Sequence, residues 1–409
     1  MRRSILLISY YFPPLGMAAV QRPLGLAKYL FRLGWKVYVL TVKPIAYWEY
    51  DPTLLENFPQ EIPIFRAGSA DFARLAYRVG KRKRERSGAW AEPKKLVWDS
   101  KLGFVPFAYF KAARLINRFK IEVVWTTSPP PSIHLVGYGL KRRSSVSWFA
   151  DFRDPWGVEA PEENCGLWSG RQKWLKRLLT AADGVTAANE RLKNFLEPLA
   201  KTSKVAAVFN GFDPEIKVSS SNSPRKIFTM AYGGTLSPST DPYIFPAALA
   251  RWKKEKKRAF RLILVGRIIG LPVEARLAEL GLTENVEITG YLPHRAALEK
   301  LAQADLLLLF LSQQEKYRLT VPAKIFEYVG LRKPTLAVVS QNGAVANFFS
   351  TYPVGNICSG EDEIMEKLEF YYRQWESGAR SLLPETLCRQ FGWDKQAERL
   401  SNVIESRLK

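Results

Sequence analysis

Ile5-Leu-Leu-Ile8, Tyr10-Tyr-Phe-Pro-Pro-Leu-Gly16, a periodic run from Ala18 to Leu33 closed by Gly34, and Lys36-Val-Tyr-Val-Leu-Thr41 together decide the fold. The first and last segments read as strands. The run between them has helical periodicity and stops at a glycine, the usual helix terminator. Pro23 sits early in that helix, where a missing N–H costs least. A strand, a short loop, a helix and a second strand imply parallel pairing through a right-handed crossover.

The same rhythm recurs along the chain. Residues 45–118 are less regular, and no order of elements is assigned there. Glu122-Val-Val-Trp125, Val146–Ala150, Gly184–Ala188 and Val205–Phe209 read as further strands, with a helix over Ile133–Leu140. Asn210-Gly211 makes a turn, and the Ser-rich stretch Lys217–Pro224 is the best linker. A second series follows, with strands at 227–232, 261–265, 286–288, 306–311 and 335–339. Its helices include Ala296–Ala302, Lys324–Val329, Ile364–Trp375 and Lys395–Arg407. Two doubly wound series predict two Rossmann-like α/β domains: 1–215, 216–390, and a final helical segment 391–409. Ligands in such sheets bind beyond the carboxyl ends of the strands, so the expected site is a cleft between domains.

Composition narrows the class. With 409 residues and 47% hydrophobic content, two sizeable cores can form. The three cysteines, Cys165, Cys358 and Cys388, have neither disulfide-framework nor thiolate-metal spacing, which fits a reducing cytoplasm. Two histidines, His134 and His294, argue against a histidine-rich metal site. The start, Met1-Arg-Arg-Ser-Ile-Leu-Leu-Ile, has the beginnings of a signal peptide, but Pro13-Pro14 follows and no small-residue cleavage site is evident. No run approaches the ~18 apolar residues that span a bilayer. The net charge is +22, split as +15 over residues 1–215 (34 Lys/Arg, 19 Asp/Glu) and +7 over 216–409 (27 and 20). Lys81-Arg-Lys-Arg-Glu-Arg86 and Lys141-Arg-Arg143 are the densest runs. They are either solvated loops or contacts for an anionic lipid, acceptor or nucleic acid. Trp48, Tyr50, Trp90 and Trp98 lie near basic stretches. The helix near Trp168 and Trp174, with Leu167, Leu175, Leu178 and Leu179 beside Arg171, Lys173, Lys176 and Arg177, reads either as a membrane-surface helix or as core packing. No helix-turn-helix, zinc-finger or RNA-recognition pattern is present, so no nucleic-acid partner is expected.

Candidate chemistry gathers at strand ends. Thr320-Val-Pro-Ala-Lys-Ile-Phe-Glu-Tyr-Val-Gly330 reads as a polar turn into a short helix bearing Lys324 and Glu327 on one face. A Lys near a helix start suits a phosphate, and a carboxylate one turn on suits a ribose diol. The alternative is an ordinary surface pair. Gly16, Gly234-Thr235 and Gly266-Arg267 end other strands, where glycine permits close backbone approach. Asp151, Arg153 and Asp154 end another. They are either site residues or a structural ion-pair cluster with Trp156 packed beneath. His134 is either a site residue or a packed loop histidine.

These motifs, in order, resemble glycosyltransferase family 4 over nearly the whole chain. Tyr10–Gly16 with Arg22 looks like the family's opening loop. Thr127-Ser-Pro-Pro-Pro-Ser-Ile-His-Leu135 and Phe149-Ala-Asp-Phe-Arg-Asp-Pro-Trp156 are similar to a subgroup. Asn210-Gly-Phe-Asp213 resembles an interdomain motif. Tyr232-Gly-Gly-Thr235, Leu264-Val-Gly266, Gly290-Tyr-Leu-Pro293 and Pro322-Ala-Lys-Ile-Phe-Glu-Tyr328 match the nucleotide-sugar half. Phe391-Gly-Trp393 resembles the segment that crosses back to the first domain. The resemblance implies the two-domain GT-B fold and a retaining transferase that uses a nucleoside-diphosphate sugar, with no cofactor and no metal. It assigns Glu327 to ribose, Lys324 and Arg267 to diphosphate, Gly234, Thr235 and Gly16 to backbone approach near the phosphates, and Tyr291 to the base. Lys324 is also a catalytic candidate, as are Asp151 and Asp154. His134 and Arg153 are acceptor-side candidates. The acceptor implied is a glycan or lipid-linked saccharide in surface polysaccharide biosynthesis, reached by a cytoplasmic enzyme peripheral to an anionic membrane face. Alternatives are a nucleotide-sugar epimerase and a non-catalytic sugar-nucleotide-binding partner. Several positions depart from the pattern. Leu319 stands where the family's Glu-x7-Glu motif has its first Glu, Pro322 interrupts the usual glycine-rich segment, Ser237-Pro-Ser-Thr240 lacks the usual Lys, and Met17 replaces a second glycine.

Overall fold

The computed structural model describes residues 3–45, 47, 49–71, 74–75, 97–156, 165–200, 204–218, 226–242, 244–379 and 382–408. Lys81–Arg86, Trp48, Trp90 and most of the Ser-rich linker lie outside them, as do the side chains of Leu167 and Trp168. The chain forms two compact units, Met1–Asn210 with Trp393–Lys409, and Gly211–Gly392.

The first unit carries a parallel sheet of β1 (Ser4–Ser9), β2 (Lys36–Val42), β3 (Ile64–Ala67), β4 (Val123–Thr127), β5 (Ser147–Phe152), β6 (Gly184–Ala187) and β7 (Val205–Ala207), in the order β3-β2-β1-β4-β5-β6-β7. Its described helices are α1 (Gln21–Arg32), α2 (Val105–Phe119), α3 (His134–Arg143), α4 (Cys165–Ala181) and α5 (Glu190–Ala200), joined by α13 (Trp393–Glu405) from the chain's end. Every residue of β1 and β4 is buried, as expected of central strands with helices on both faces. On one face Ile5, Leu7, Val123 and Trp125 pack with Leu26 and Leu30 of α1 and Trp393, Leu400 and Ile404 of α13. Polar bonds fix α13 further: Trp35 Nε1 donates to Ser401 Oγ at 2.9 Å, and the Phe209 amide donates to Gln396 Oε1 at 2.9 Å.

The second unit carries β8 (Phe228–Gly233), β9 (Phe260–Val265), β10 (Val286–Gly290), β11 (Leu306–Phe310), β12 (Thr335–Val338) and β13 (Gly355–Cys358), in the order β10-β9-β8-β11-β12-β13. All its pairs are parallel. Its helices are α6 (Phe245–Lys256), α7 (Val273–Glu279), α8 (His294–Leu301), α9 (Lys324–Gly330), α10 (Ala344–Thr351), α11 (Glu361–Glu376) and α12 (Glu385–Arg389). Alternation along each strand divides the core. Met230, Tyr232, Leu262, Leu264, Leu308 and Phe310 face Trp252 of α6 and Leu368 of α11. Ala231, Ile263, Val265 and Leu307 face Leu301 of α8 and Tyr328 of α9.

Both sheets reverse direction beside their first strand, between β1 and β4 and between β8 and β11. The carboxyl ends at such a reversal leave a crevice that suits a ligand. In α4 the apolar side is packed: Leu175, Leu178 and Leu179 are buried, and Trp174 lies 5.4 Å from Trp98 and 6.2 Å from Tyr138. The core-packing reading therefore accounts for these residues, and no described helix is long and apolar enough to cross a membrane.

The α1–α13 contact yields a stability test. A Cβ on Gly25 would sit 2.5 Å from the Trp393 ring, whereas one on Gly360 would meet nothing within 4 Å. Gly25→Ala should destabilise by about 1–3 kcal/mol through overpacking. Gly360→Ala should change stability by less than about 0.5 kcal/mol. Urea unfolding of both variants checks the contrast, and equal stability would place α13 elsewhere.

Candidate functional site

At the reversal point of the second sheet, β8 ends in Gly233-Gly234-Thr235. Gly234 has φ of +107°, a region costly for any side chain, and a Cβ there would lie 2.9 Å from Lys324 Nζ. The ammonium is thus held against bare backbone. Tyr232 holds it: Lys324 donates to Tyr232 Oη, with its nitrogen 3.9 Å from the ring centroid. Tyr232 Oη donates to the Thr235 carbonyl at 2.9 Å, and its ring stacks on Phe310 at 5.1 Å. Cation and hydroxyl are therefore fixed by groups that are themselves packed.

Neighbouring loops are stitched to this point. Gly266 has φ of +135°, and its Cβ position is filled by the Gly234 carbonyl at 2.3 Å. The Gly234 amide donates to the Val265 carbonyl at 2.7 Å, and the Leu236 amide to the Arg267 carbonyl at 2.8 Å. The Ser237–Thr240 loop closes on itself, with the Ser237 amide donating to Thr240 Oγ1 at 3.1 Å. The Ser312 amide, beyond β11, reaches the Ser239 carbonyl at 2.9 Å. Beneath lies Tyr328, whose hydroxyl accepts from the Gly233 amide at 2.8 Å and donates to the Leu308 carbonyl at 3.1 Å. Burial pushes that phenol well above its ordinary pKa, so it stays protonated.

Glu327 lies one turn after Lys324 and meets His294 Nε2 at 2.8 Å, with both side chains part-exposed. Arg267 lies 6.0 Å from the Tyr291 ring centroid and is half-buried. This unit thus gathers Gly234, Thr235, Lys324 and Glu327, with the Arg267 backbone joined to the same loop. His294, Tyr232 and Tyr328 are the partners that the motif spacing did not reveal. Tyr232 was legible as a strand-end aromatic, but its role depends on the return of α9 to β8.

In the first unit Asp151 is wholly buried. Its carboxylate accepts from Arg22 Nε at 2.8 Å and Arg22 Nη2 at 2.6 Å, and from the hydroxyls of Thr127 at 2.6 Å and Thr186 at 2.5 Å. A carboxylate has about four lone-pair positions, so all are taken. Burial alone would raise this carboxyl's pKa. The Arg22 charge and these hydrogen bonds outweigh it and hold the pKa below the ordinary value. The ion pair at this strand end forms with Arg22 rather than with Arg153, which donates to the Ala19 carbonyl at 3.0 Å. Asp154 is exposed. Trp156 stacks on Trp98 at 4.8 Å. His134 is fully buried, with Nδ1 2.9 Å from Thr126 Oγ1 and its ring 4.4 Å from Phe152. Burial lowers its pKa to about 3, with Asp151 opposing, so the ring is neutral. Gly16 is buried, and its amide donates to the Glu49 carbonyl at 3.0 Å. The next residue, Met17, has φ of 77° and ψ of 168°, a conformation that only glycine adopts freely. A second cluster follows β1. The Tyr10 hydroxyl donates to Asp71 at 2.8 Å, and Arg74 pairs with Asp71 at 2.8 Å. No described group of three His, Cys, Asp or Glu side chains has a metal-site arrangement.

Two outcomes follow for this unit. Asp151→Asn should lose about 3–5 kcal/mol, because it leaves the buried Arg22 without its charge partner. Asp154→Asn should stay within about 0.5 kcal/mol of the parent. Melting of both variants decides, and an unperturbed Asp151→Asn would refute the ion-pair account. His134 sets a pH dependence. Its folded pKa is lowered to about 3, while an unfolded histidine titrates near 6.5. The unfolded chain then binds the extra proton between these values. Stability should therefore be full above about pH 6.5 and fall by up to about 1.4 kcal/mol per unit as pH drops toward 3. His134→Phe should flatten the slope by that amount between about pH 4 and 6.5, read from denaturant midpoints. An unchanged slope would remove His134 as its cause.

No family model and no curated protein matches this chain. Solved structures do. A glycosyltransferase from Rickettsia africae is similar with a TM-score of 0.68 at 15% identity, over 100% of this chain and 99% of that one. Anabaena HepE, solved in complex with UDP, gives 0.66 at 16%, over 99% and 100%. WaaG, described as a glycosyltransferase involved in lipopolysaccharide biosynthesis, gives 0.60 at 13%, over 99% and 98%. Identities this low speak to architecture, and over its whole length the chain has the GT-B fold that these glycosyltransferases have.

Proposed function

We propose that this chain is a retaining glycosyltransferase of the family 4 type. It moves a sugar from a nucleoside-diphosphate sugar to a glycan or lipid-linked saccharide in surface polysaccharide biosynthesis, at an anionic membrane face. The observation that carries the reading is the Lys324 ammonium held at Gly234, with Glu327 one turn further on. A fixed cation against exposed backbone is what a departing diphosphate requires. Its charge grows as the glycosidic C–O bond breaks, and a preorganised cation stabilises that growth without reorganising. In this reading Arg267 shares the diphosphate, and Gly234 and Thr235 let it approach the backbone. Glu327 accepts from the ribose hydroxyls, with His294 as the partner that orients it. Tyr291 flanks the base. The acceptor oxygen bonds to the anomeric carbon on the face the leaving group vacates, and its proton passes to a leaving phosphate oxygen. Asp154, exposed at its strand end, is the carboxylate for an acceptor hydroxyl, with Arg153 beside it. Asp151 and His134 act through the strand end that they brace. No metal or other cofactor takes part.

HepE has been solved with UDP and with UDP-glucose, so uridine donors come first in a thermal-shift panel with GDP-, ADP- and TDP-sugars. A donor at ~100 times its dissociation constant should stabilise by ~2.7 kcal/mol. Leu319, in place of the family's first motif Glu, supports the rival reading of a non-catalytic sugar-nucleotide binder, which would bind donor and neither transfer nor hydrolyse it.

Variants at the two charged residues separate binding from chemistry. Glu327→Ala should weaken donor affinity by roughly 1.5–3 kcal/mol. Lys324→Ala should lower kcat by roughly 10²–10³-fold with a smaller change in affinity. Calorimetry and transfer kinetics are the measurements. Parental affinity and turnover in both variants would sink the assignment.

A further inference from the structure

Helix α2 buries Ala108, Ala112, Leu115 and Ile116 along one stripe. Its opposite face is not the polar face of an ordinary surface helix. Phe110 is 65% exposed and Phe107 47% exposed, the former being the most exposed large hydrophobic side chain among the described residues. Leu102, 40% exposed, lies just before the helix. Arg114, four residues after Phe110, and Arg118 are exposed and continue the same face. Beside it runs an open groove of about 780 Å³, whose lining combines Phe107 and Phe110 with Lys43, Lys111, Arg114 and Arg118 and includes no carboxylate among the described residues. On the other flank a second groove of about 500 Å³ is lined by Tyr109, Tyr138, Arg142 and Arg143, again with no acid among the described residues. None of these basic side chains forms an ion pair with a described carboxylate.

We propose that the α2 face is the surface by which this protein docks on an anionic lipid bilayer, with Phe107 and Phe110 entering the acyl boundary and Arg114 and Arg118 at the headgroups. Charge complementarity selects the occupant. A basic rim with no described acid, around apolar side chains that water does not solvate well, matches an interface that is anionic at its surface and apolar just below. Tyr109, whose ring lies 5.5 Å from that of Phe110, suits the headgroup level, where amphipathic rings settle. A nucleic acid would satisfy the arginines and leave Leu102 and Phe107 in water. The inference rests on the proposed membrane-side acceptor and gives that reading a surface on α2 rather than on α4.

The full-length protein is sedimented with vesicles of phosphatidylcholine alone and of equal parts phosphatidylcholine and phosphatidylglycerol. It should pellet with the anionic vesicles only, less so as salt rises. Arg114→Ala with Arg118→Ala should lower partitioning by roughly tenfold or more. Phe107→Ser with Phe110→Ser should do the same while melting at the parental temperature, since all four side chains are exposed. Equal binding to neutral vesicles overturns the proposal, as does unchanged binding in both variants. So does retention on duplex DNA or heparin without vesicle binding. UDP thermal shifts on the same samples keep the two readings apart: vesicle binding without a nucleotide shift counts against the proposed function alone, and the reverse counts against this surface alone.

Discussion

The buried pair of Arg22 and Asp151 is the constraint on which the first unit depends. Moving either ion out of water costs several kcal/mol, and attraction between them offsets this only when the remaining hydrogen-bonding positions are filled. Here they are filled by the structure itself. Asp151 ends β5, Thr127 ends β4, Thr186 lies in β6 and Arg22 opens α1. The other arm of Arg22 reaches the Phe209 carbonyl at 2.8 Å and Asn210 Oδ1 at 3.3 Å, where the chain leaves the unit. Three strands, one helix and the exit segment must therefore register together before either charge is satisfied. Such a pair adds little net stability over apolar packing, but it penalises every arrangement in which one partner is missing.

The second unit solves a different problem at the equivalent place. Its strand ends are joined by backbone rather than by a buried ion pair, and glycines make that possible. Gly234 and Gly266 both have positive φ, and the carbonyl of one occupies the space a side chain on the other would need. The result is an exposed turn with a cation laid over it. Met17 in the first unit is the counterpart without the glycine. It keeps a backbone conformation that costs of order 1–3 kcal/mol for a side chain, and the loop bonds of Leu15 and Gly16 hold it there.

How much of this was legible in the sequence follows from the range of each interaction. The β-α-β opening was readable because Ile5–Ile8 and the run to Gly34 each carry a local period. The edge strands β3 and β13 were not, because four residues such as Gly-Asn-Ile-Cys carry almost no alternation and owe their strand form to β2 and β12. Asp151, Arg153 and Asp154 were readable as a charged strand end. Their division of labour was not, since the partner of Asp151 lies 129 residues away. The same limit hid His294, 33 residues from Glu327. Leu175, Leu178 and Leu179 have helical spacing whether the helix meets a membrane or a core, and only their burial separates the two.

The contrast between α4 and α2 carries the point further. Both are amphipathic stretches with aromatic and basic residues, and the indoles lie in α4. Its described aromatic side chain has partners: Trp174 rests against Trp98 and Tyr138, and Arg177 covers its ring at 5.0 Å. In the first half of α2 the small residues Ala108 and Ala112 face inward and the large ones at 107 and 110 face out, while Leu115 and Ile116 fill the inward face further on. That inversion is unfavourable for a helix whose outer face meets only water, because burying Phe rather than Ala would gain roughly 1–2 kcal/mol per side chain. A sequence that places alanine inward and phenylalanine outward gives up that gain on folding, which is accounted for when the outer face meets something other than water.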